Sequence, residues 1–372
     1  MDTFSNPTCQ ETSMPFNPLM PYNDLPLLPP QAELESKEIL RKAISSNRAL
    51  AELKGAGELI PNQSMLINSI PLQEARASSE IENIITTNDK LFQAAVVASA
   101  SDPATKEVLH YRTALKNGFD MLLDRPISVN LMIEICRTLK NTEVDVRKVP
   151  GTTLSNPATG EVYYTPPEGE GIIREKLGNL ETYIHQEDDL DPLIRMAVIH
   201  YQFEAIHPFH DGNGRTGRIL NILFLVEKGL LKIPVLYLSR YIIQNKNEYY
   251  RLLREVTAKG AWEPWVMYML TAIEETASWT CEIIKAIRDL LEETVILCKE
   301  KLSGLIYSRE LVELIFVQPY CKIAFLVEAG IAERKTASVY LQKLEGIGVL
   351  RSVQLGREKI YINPRLIELL KG

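Results

Sequence analysis

Between two apolar runs, 190–206 and 219–226, stand twelve residues, His207-Pro-Phe-His-Asp-Gly-Asn-Gly-Arg-Thr-Gly-Arg218. The first run places Ile194, Ala197, Val198, Tyr201 and Ala205 near helical spacing, so a helix is predicted to end on His207. The second predicts a helix leaving the loop and stopping at Gly229. A loop of this composition between two helices is built to grip phosphate, and it constrains the chain more than any other stretch. Gly212 and Gly214 permit positive φ and close backbone approach, so successive N–H groups can converge on an anion. The positive end of the second helix points into the same loop. Arg215 and Arg218 project from its first turn and suit forked hydrogen bonds to two phosphoryl groups. Asp211 suits Mg²⁺ held against those phosphates, and His207 suits removal of a proton from an attacking hydroxyl.

The pattern His-x-Phe-x-Asp-Gly-Asn-Gly-Arg-x-x-Arg is complete here and resembles the signature of the Fic family, nucleotidyl transferases that attach AMP from ATP to protein hydroxyls. The resemblance implies that His207 is the base for a Tyr, Ser or Thr hydroxyl and that Asp211 holds Mg²⁺ between the α- and β-phosphates. It implies an anion hole of Gly212, Asn213 and Gly214, with Arg215 on the β-phosphate side, Arg218 reaching the γ-phosphate, and Thr216 and Gly217 completing the nucleotide-binding stretch. His210 falls at a variable position and receives no role. A zinc site of His207, His210 and Asp211 would lack a fourth ligand.

Other stretches acquire meaning from that loop. Ser78-Ser-Glu-Ile-Glu-Asn83 fits the Ser/Thr-x-x-x-Glu-Gly/Asn pattern of the inhibitory helix found in Fic proteins. It implies that Glu82 pairs with Arg218 and withholds that arginine from ATP. Residues 149–166 carry two β-prone runs around an Asn156-Pro-Ala-Thr-Gly160 turn, a predicted hairpin. By resemblance this is the flap that holds the target peptide through main-chain pairing. The stretch from Ser239 to Asn245, with Tyr249 and Tyr250, resembles the border of the adenine and ribose pocket, with Asn245 as the expected contact.

The rest of the chain predicts a mainly α fold. Seven prolines within residues 1–30 predict an extended arm. Helical spacing recurs over 31–53, 62–77, 89–100, 103–123 and 128–139, the last capped by Ser128. Residues 236–256 and 263–300 add two more. From 301 onward three short amphipathic helices and a two-stranded wing around Gly356 predict a winged helix-turn-helix. The expected division is 1–122 as an N-terminal helical region carrying the inhibitory motif, 123–299 as the Fic catalytic core with its hairpin flap, and 300–372 as the winged domain.

The net charge is −7, yet residues 301–372 hold 11 Lys and Arg against 7 Asp and Glu. A mildly basic module on an acidic body suits either DNA or a protein partner. Five scattered cysteines, Cys9, Cys136, Cys281, Cys298 and Cys321, form no Cys-x-x-Cys pair. No run is long and apolar enough for a bilayer and no basic-then-apolar leader opens the chain, so the expected location is the cytoplasm, with no membrane partner. The leading expectation is an autoinhibited, Mg²⁺-dependent protein adenylyltransferase using ATP, with self-modification and a homodimer both compatible with the resemblance. The alternatives are a de-AMPylase or other phosphate-group transferase on the same fold, and a nucleotide-sensing DNA-binding regulator.

Overall fold

The computed structural model describes residues 16–96, 102–156, 159–302, 306–317, 319–355 and 358–371. Residues 16–35 form an arm without regular helix or strand. Helix α1 (Lys37–Glu58) starts six residues later than the spacing predicts, where the Ser36 hydroxyl accepts from Ile39 N at 3.3 Å. Then follow α2 (Ser64–Ile81), α3 (Asn88–Val96), α4 (Pro103–Met121) and α5 (Val129–Lys140), the last two capped by Asp102 and Ser128. The expected end of α3 at residue 100 lies outside the described residues.

The hairpin consists of β1 (Leu154–Ser155) and β2 (Val162–Tyr164), antiparallel, with Leu154 opposite Tyr164 and Ser155 opposite Val162. Pro157 and Ala158 of its turn lie outside the described residues. Helix α6 (Glu170–Ile184), which has no counterpart in the expectations above, starts after Gly169 at φ 95°.

Helices α7 (Pro192–Ile206) and α8 (Asn213–Glu227) pack side by side at the centre. The expected apolar stripe understates α7: of Leu193 to Ile206 only Glu204 is not fully buried, as for any helix surrounded by core. The single helix expected over 236–256 is two, α9 (Leu238–Gln244) and α10 (Lys246–Lys259), broken at Asn245. The Asn245 side chain donates to Tyr241 O at 3.0 Å, a local bond that competes with continuing the helix. Helix α11 (Trp262–Lys301) is the spine. Along it lies α1, joined by Ser46 Oγ to Leu270 O at 2.8 Å and Lys42 to Glu274 at 2.7 Å.

The C-terminal region runs α12 (Arg309–Val317), β3 (Tyr320–Cys321), α13 (Ile323–Glu328), α14 (Arg334–Gly346), β4 (Arg351–Leu355), β5 (Glu358–Ile362) and α15 (Pro364–Lys371). Its antiparallel sheet has the order β3-β5-β4. Where three helices and a two-stranded wing were expected there are four helices and three strands; the extra strand, two-residue β3, is too short to show a period. Gly356 and Arg357 of the wing turn lie outside the described residues. Helices α12 and α15 pack on α2, and Tyr320 stacks on Phe92 of α3 with centroids 5.7 Å apart. Cys136, Cys281, Cys298 and Cys321 are free and buried, and Cys9 lies outside the described residues. Among the described residues no helix is long and apolar enough to cross a membrane.

Candidate active site

Helix α7 stops because Pro208 follows His207, and His207 itself takes the left-handed conformation, φ 49° and ψ 58°. A non-glycine residue there is strained, and its surroundings hold it. Arg147, buried under the loop, donates Nε to His207 O at 2.8 Å and Nη2 to Pro167 O, while its own N–H meets Pro208 O at 2.9 Å. Asn213 closes the other side. Its amide donates to Phe209 O at 2.7 Å and accepts from Phe209 N at 2.8 Å, so both ends brace the loop backbone. Gly212, at φ 87°, is the N-cap of α8, and an added Cβ would crowd Leu139 at 3.2 Å. The first-turn N–H groups of α8, which have no intrahelical acceptor, open toward this loop.

Beside the loop is a cavity of about 400 Å³. Its polar end is lined by Glu82, Glu204, His207, Gly214 and Arg218. The rest of the lining is mostly apolar, with Leu154, Val162 and Tyr163 of the hairpin, Tyr250, Leu253 and Thr257 of α10, and Phe16 and Pro18 of the arm, but it includes the charged Glu161 and Arg254. Arg218 is 1% exposed and held by three hydrogen bonds: Nε donates to Ser78 Oγ at 2.8 Å, and Nη2 donates to Ser78 O at 2.9 Å and to Glu82 Oε1 at 2.8 Å. Helix α2 ends at Glu82, and Asn83 turns left-handed at φ 63°, leaving the carboxylate at the helix tip. That carboxylate sits against Gly214 so closely that a Cβ there would collide with it. Below it, buried Glu74 accepts from Ser239 N at 2.8 Å and Tyr111 Oη at 3.0 Å, fastening α2 to α9 and α4.

Asp211 and Arg215 face elsewhere. Arg215, 1% exposed, pairs with Glu107 of α4 at 2.5 Å and lies 3.5 Å from Asp211, while Lys140 of α5 bonds to Asp211. Thr216 is buried, and a Cβ on Gly217 would meet Glu204 Oε1 at 2.7 Å. The structure thus brings Glu82, His207, Gly214 and Arg218 to one cavity. Asn245 does not line it; its amide is spent on Tyr241 O and its carbonyl accepts from Tyr268 Oη at 3.4 Å. Four further residues enter the site without having been read from the sequence: Glu107, Lys140, Arg147 and Glu204. The one local signal was Glu204, the single carboxylate in its helix, three residues before His207.

Burial lowers the His207 pKa to about 4, helped by the Arg147 charge, so the imidazole is neutral across the physiological range. Burial pushes Glu204 up to about 7, opposed by Arg218 and reinforced by Glu82. Glu204 Oε1 has no hydrogen-bond partner among the described residues. Burial pulls the Asp211 pKa upward, but Lys140 and Arg215 outweigh it and leave the carboxyl below its usual value. Burial disfavours the Arg218 charge, and Glu82, Tyr249, Glu204 and Tyr250 together more than offset it, so its pKa is raised.

The Fic/DOC family model matches residues 126–225, spanning hairpin, loop and α8. The Fic/DOC N-terminal model matches 40–120, and a C-terminal domain described as protein adenylyltransferase SoFic-like matches 290–366. This chain is a Fic/DOC family protein. Among curated relatives of this Fic/DOC chain, a protein adenylyltransferase of Caenorhabditis briggsae is 34% identical over 116 residues, 30% of this chain and 21% of that one. A probable protein adenylyltransferase of Aquifex aeolicus is 34% identical over 92 residues, 25% and 26% of the two chains. One from Culex quinquefasciatus is 29% identical over 146 residues, 39% and 27%. The chain spans about a fifth to a third of the length of the curated relatives it matches. In fold it is similar to a Fic family protein from Desulfovibrio desulfuricans, with a TM-score of 0.52 at 18% identity, covering 88% of this chain and 96% of that one. A Fic domain-containing signaling protein from Bacteroides thetaiotaomicron gives 0.54 at 19%, covering 65% and 97%.

Proposed function

We propose that this chain transfers AMP from ATP to the side-chain hydroxyl of a protein Tyr, Ser or Thr, its own hydroxyls included, and that Glu82 restrains it. The observation that carries this reading is a carboxylate seated on Gly214 and bonded to Arg218 in the cavity that also holds a neutral His207. An anion already occupies the place where α8 would receive one. A phosphate chain bound there would lie along the first turn of α8, with Arg218 released to it and the nucleoside in the mostly apolar part. His207 takes the proton as the hydroxyl oxygen bonds to the α-phosphorus, and the bond from that phosphorus to the bridging oxygen breaks, so pyrophosphate leaves. The hairpin at 149–166 would hold the acceptor chain by main-chain pairing.

Mg²⁺ fits the donor set. Asp211 is a hard, half-exposed carboxylate, and one such ligand alongside phosphate oxygens is the usual magnesium arrangement. When bound with ATP, the ion would neutralise phosphate charge. Lys140 has to release Asp211 for that to happen.

The test is incubation of the purified protein with Mg²⁺ and ATP labelled at either the α or the γ position, followed by mass spectrometry. Adenylyl transfer predicts α label on protein, more of it in Glu82→Gly, none in His207→Ala, and no gain in Arg218→Ala. Label from the γ position alone would mark a phosphotransferase. No label in any variant, with salt-sensitive DNA binding instead, would favour a nucleotide-sensing regulator.

A further inference from the structure

The arm at residues 16–35 lies outside all three family matches. It is nevertheless fastened along its length. Tyr22 N donates to Thr165 O at 3.0 Å, and Thr165 Oγ1 donates to Pro18 O at 2.7 Å, so the arm runs beside the hairpin where β2 ends. Lys176, a buried ammonium on α6, donates to Leu25 O at 2.7 Å. Asn179 brackets Leu28, donating to its carbonyl at 3.0 Å and accepting from its N–H at 2.8 Å. Gln202 of α7 donates to Pro26 O at 2.9 Å. Leu25 and Leu28 are buried. Such a strap holds its first described residue in place rather than letting it wander.

Phe16 is the first of the arm's described residues. Its ring stacks on Tyr164 with centroids 5.9 Å apart and 25° between planes, and meets Tyr22 edge-on at 5.2 Å. It remains only half-buried because part of its surface lines the cavity. An aromatic surface braced from behind and open to a mostly apolar cavity is suited to a flat, apolar-faced ligand. The polar end of the same cavity, at Gly214 and Arg218, is suited to phosphate. A nucleotide has both characters at its two ends. We propose that Phe16, held by the arm, forms a wall of the nucleobase end of the cleft and sets how tightly the base is bound. The proposal rests on the adenylyl-transfer reading, which supplies the nucleotide, and adds a wall that the loop motif does not contain.

Binding of ATP and of inorganic tripolyphosphate is to be measured by titration calorimetry on Glu82→Gly and on Glu82→Gly with Phe16→Ala or Phe16→Tyr. Contact of a base with an aromatic ring predicts that Phe16→Ala weakens ATP about tenfold or more. Tripolyphosphate, which has no base, should bind unchanged, and Phe16→Tyr should retain ATP affinity within about twofold. Equal weakening of both ligands, which a merely structural Phe16 would produce, overturns the proposal. So does unchanged ATP affinity in Phe16→Ala, an outcome that leaves adenylyl transfer standing. If the Glu82→Gly protein binds neither ligand, the adenylyl-transfer reading falls and the wall falls with it.

Discussion

Arg215 and Arg218 stand three residues apart on α8, both 1% exposed and both paired with a carboxylate from the N-terminal helices. Their partners differ in place. Glu107 sits within α4, shares its charge between Arg215 and Lys140, and does not line the cavity. Glu82 caps the C-terminus of its helix, touches Arg218 from the cavity side, and lies against Gly214. On the function proposed above, two similar ion pairs would do different work: Glu82 would compete with a ligand because it occupies the ligand's space, whereas Glu107 would only position its arginine.

The harshest way to break that comparison is to remove the base. With His207→Ala, substituting either carboxylate should become irrelevant, and adenylyl label should fall about 10²- to 10⁴-fold even in the Glu82→Gly protein. Next comes the contrast itself. Unit charges 4 Å apart attract by about 4 kcal/mol at an effective dielectric near 20, and half of that, after desolvation and screening, corresponds to about thirtyfold. Glu82→Gly should raise the labelling rate by about that factor, while Glu107→Gln raises it not at all; equal activation by both would erase the distinction drawn here. Stability should order them the other way. Glu107→Gln leaves a buried guanidinium without its charged partner and should cost about 1–3 kcal/mol in urea unfolding. Glu82→Gln should cost less, since Ser78 still holds Arg218 with two hydrogen bonds.

The smallest effect concerns pH. His207 is held down to about 4, below its unfolded value near 6.5, so the unfolded chain binds the proton more readily between those values. Its contribution to stability is complete above about pH 6.5 and is lost as pH falls toward 4. The imidazole should accordingly impose no inflection on the labelling rate of Glu82→Gly between about pH 5.5 and 8. An inflection below about 7 would belong to Glu204, whose carboxyl loses the upward push of Glu82 in this variant, and Glu204→Gln should remove it.

Legibility followed distance along the chain. The loop from His207 to Arg218 could be read directly because its chemistry lies in consecutive residues, and Ser128, Gly229 and the hairpin at 154–164 are likewise local signals. Glu82 and Arg218 are 136 positions apart and were linked only through a family pattern; the fold brings them to 2.8 Å. Nothing local marks Glu107, Lys140 or Arg147 as partners of the loop, because a buried ion finds its counter-charge through tertiary packing. Asn245 departs from the expected pocket contact for the opposite reason: its side chain satisfies a neighbouring carbonyl where α9 meets α10, and it does not line the cavity. Helix α6 was legible as well: its buried Ile173, Leu177, Leu180 and Ile184 stand four, three and four residues apart, the spacing of one helical face.

The chain has three tryptophans, and two of them stand directly behind the cleft. Trp265, wholly enclosed, packs 5.7 Å from Tyr249 and stacks on His200 at 5.9 Å, while Trp262 meets Tyr201 edge-on at 4.8 Å; Tyr249 and Tyr201 both line the cavity. Any guest that pushes on those tyrosines alters the surroundings of an indole one ring away. Intrinsic fluorescence should thus report occupancy without a dye, giving each variant above its own optical gauge.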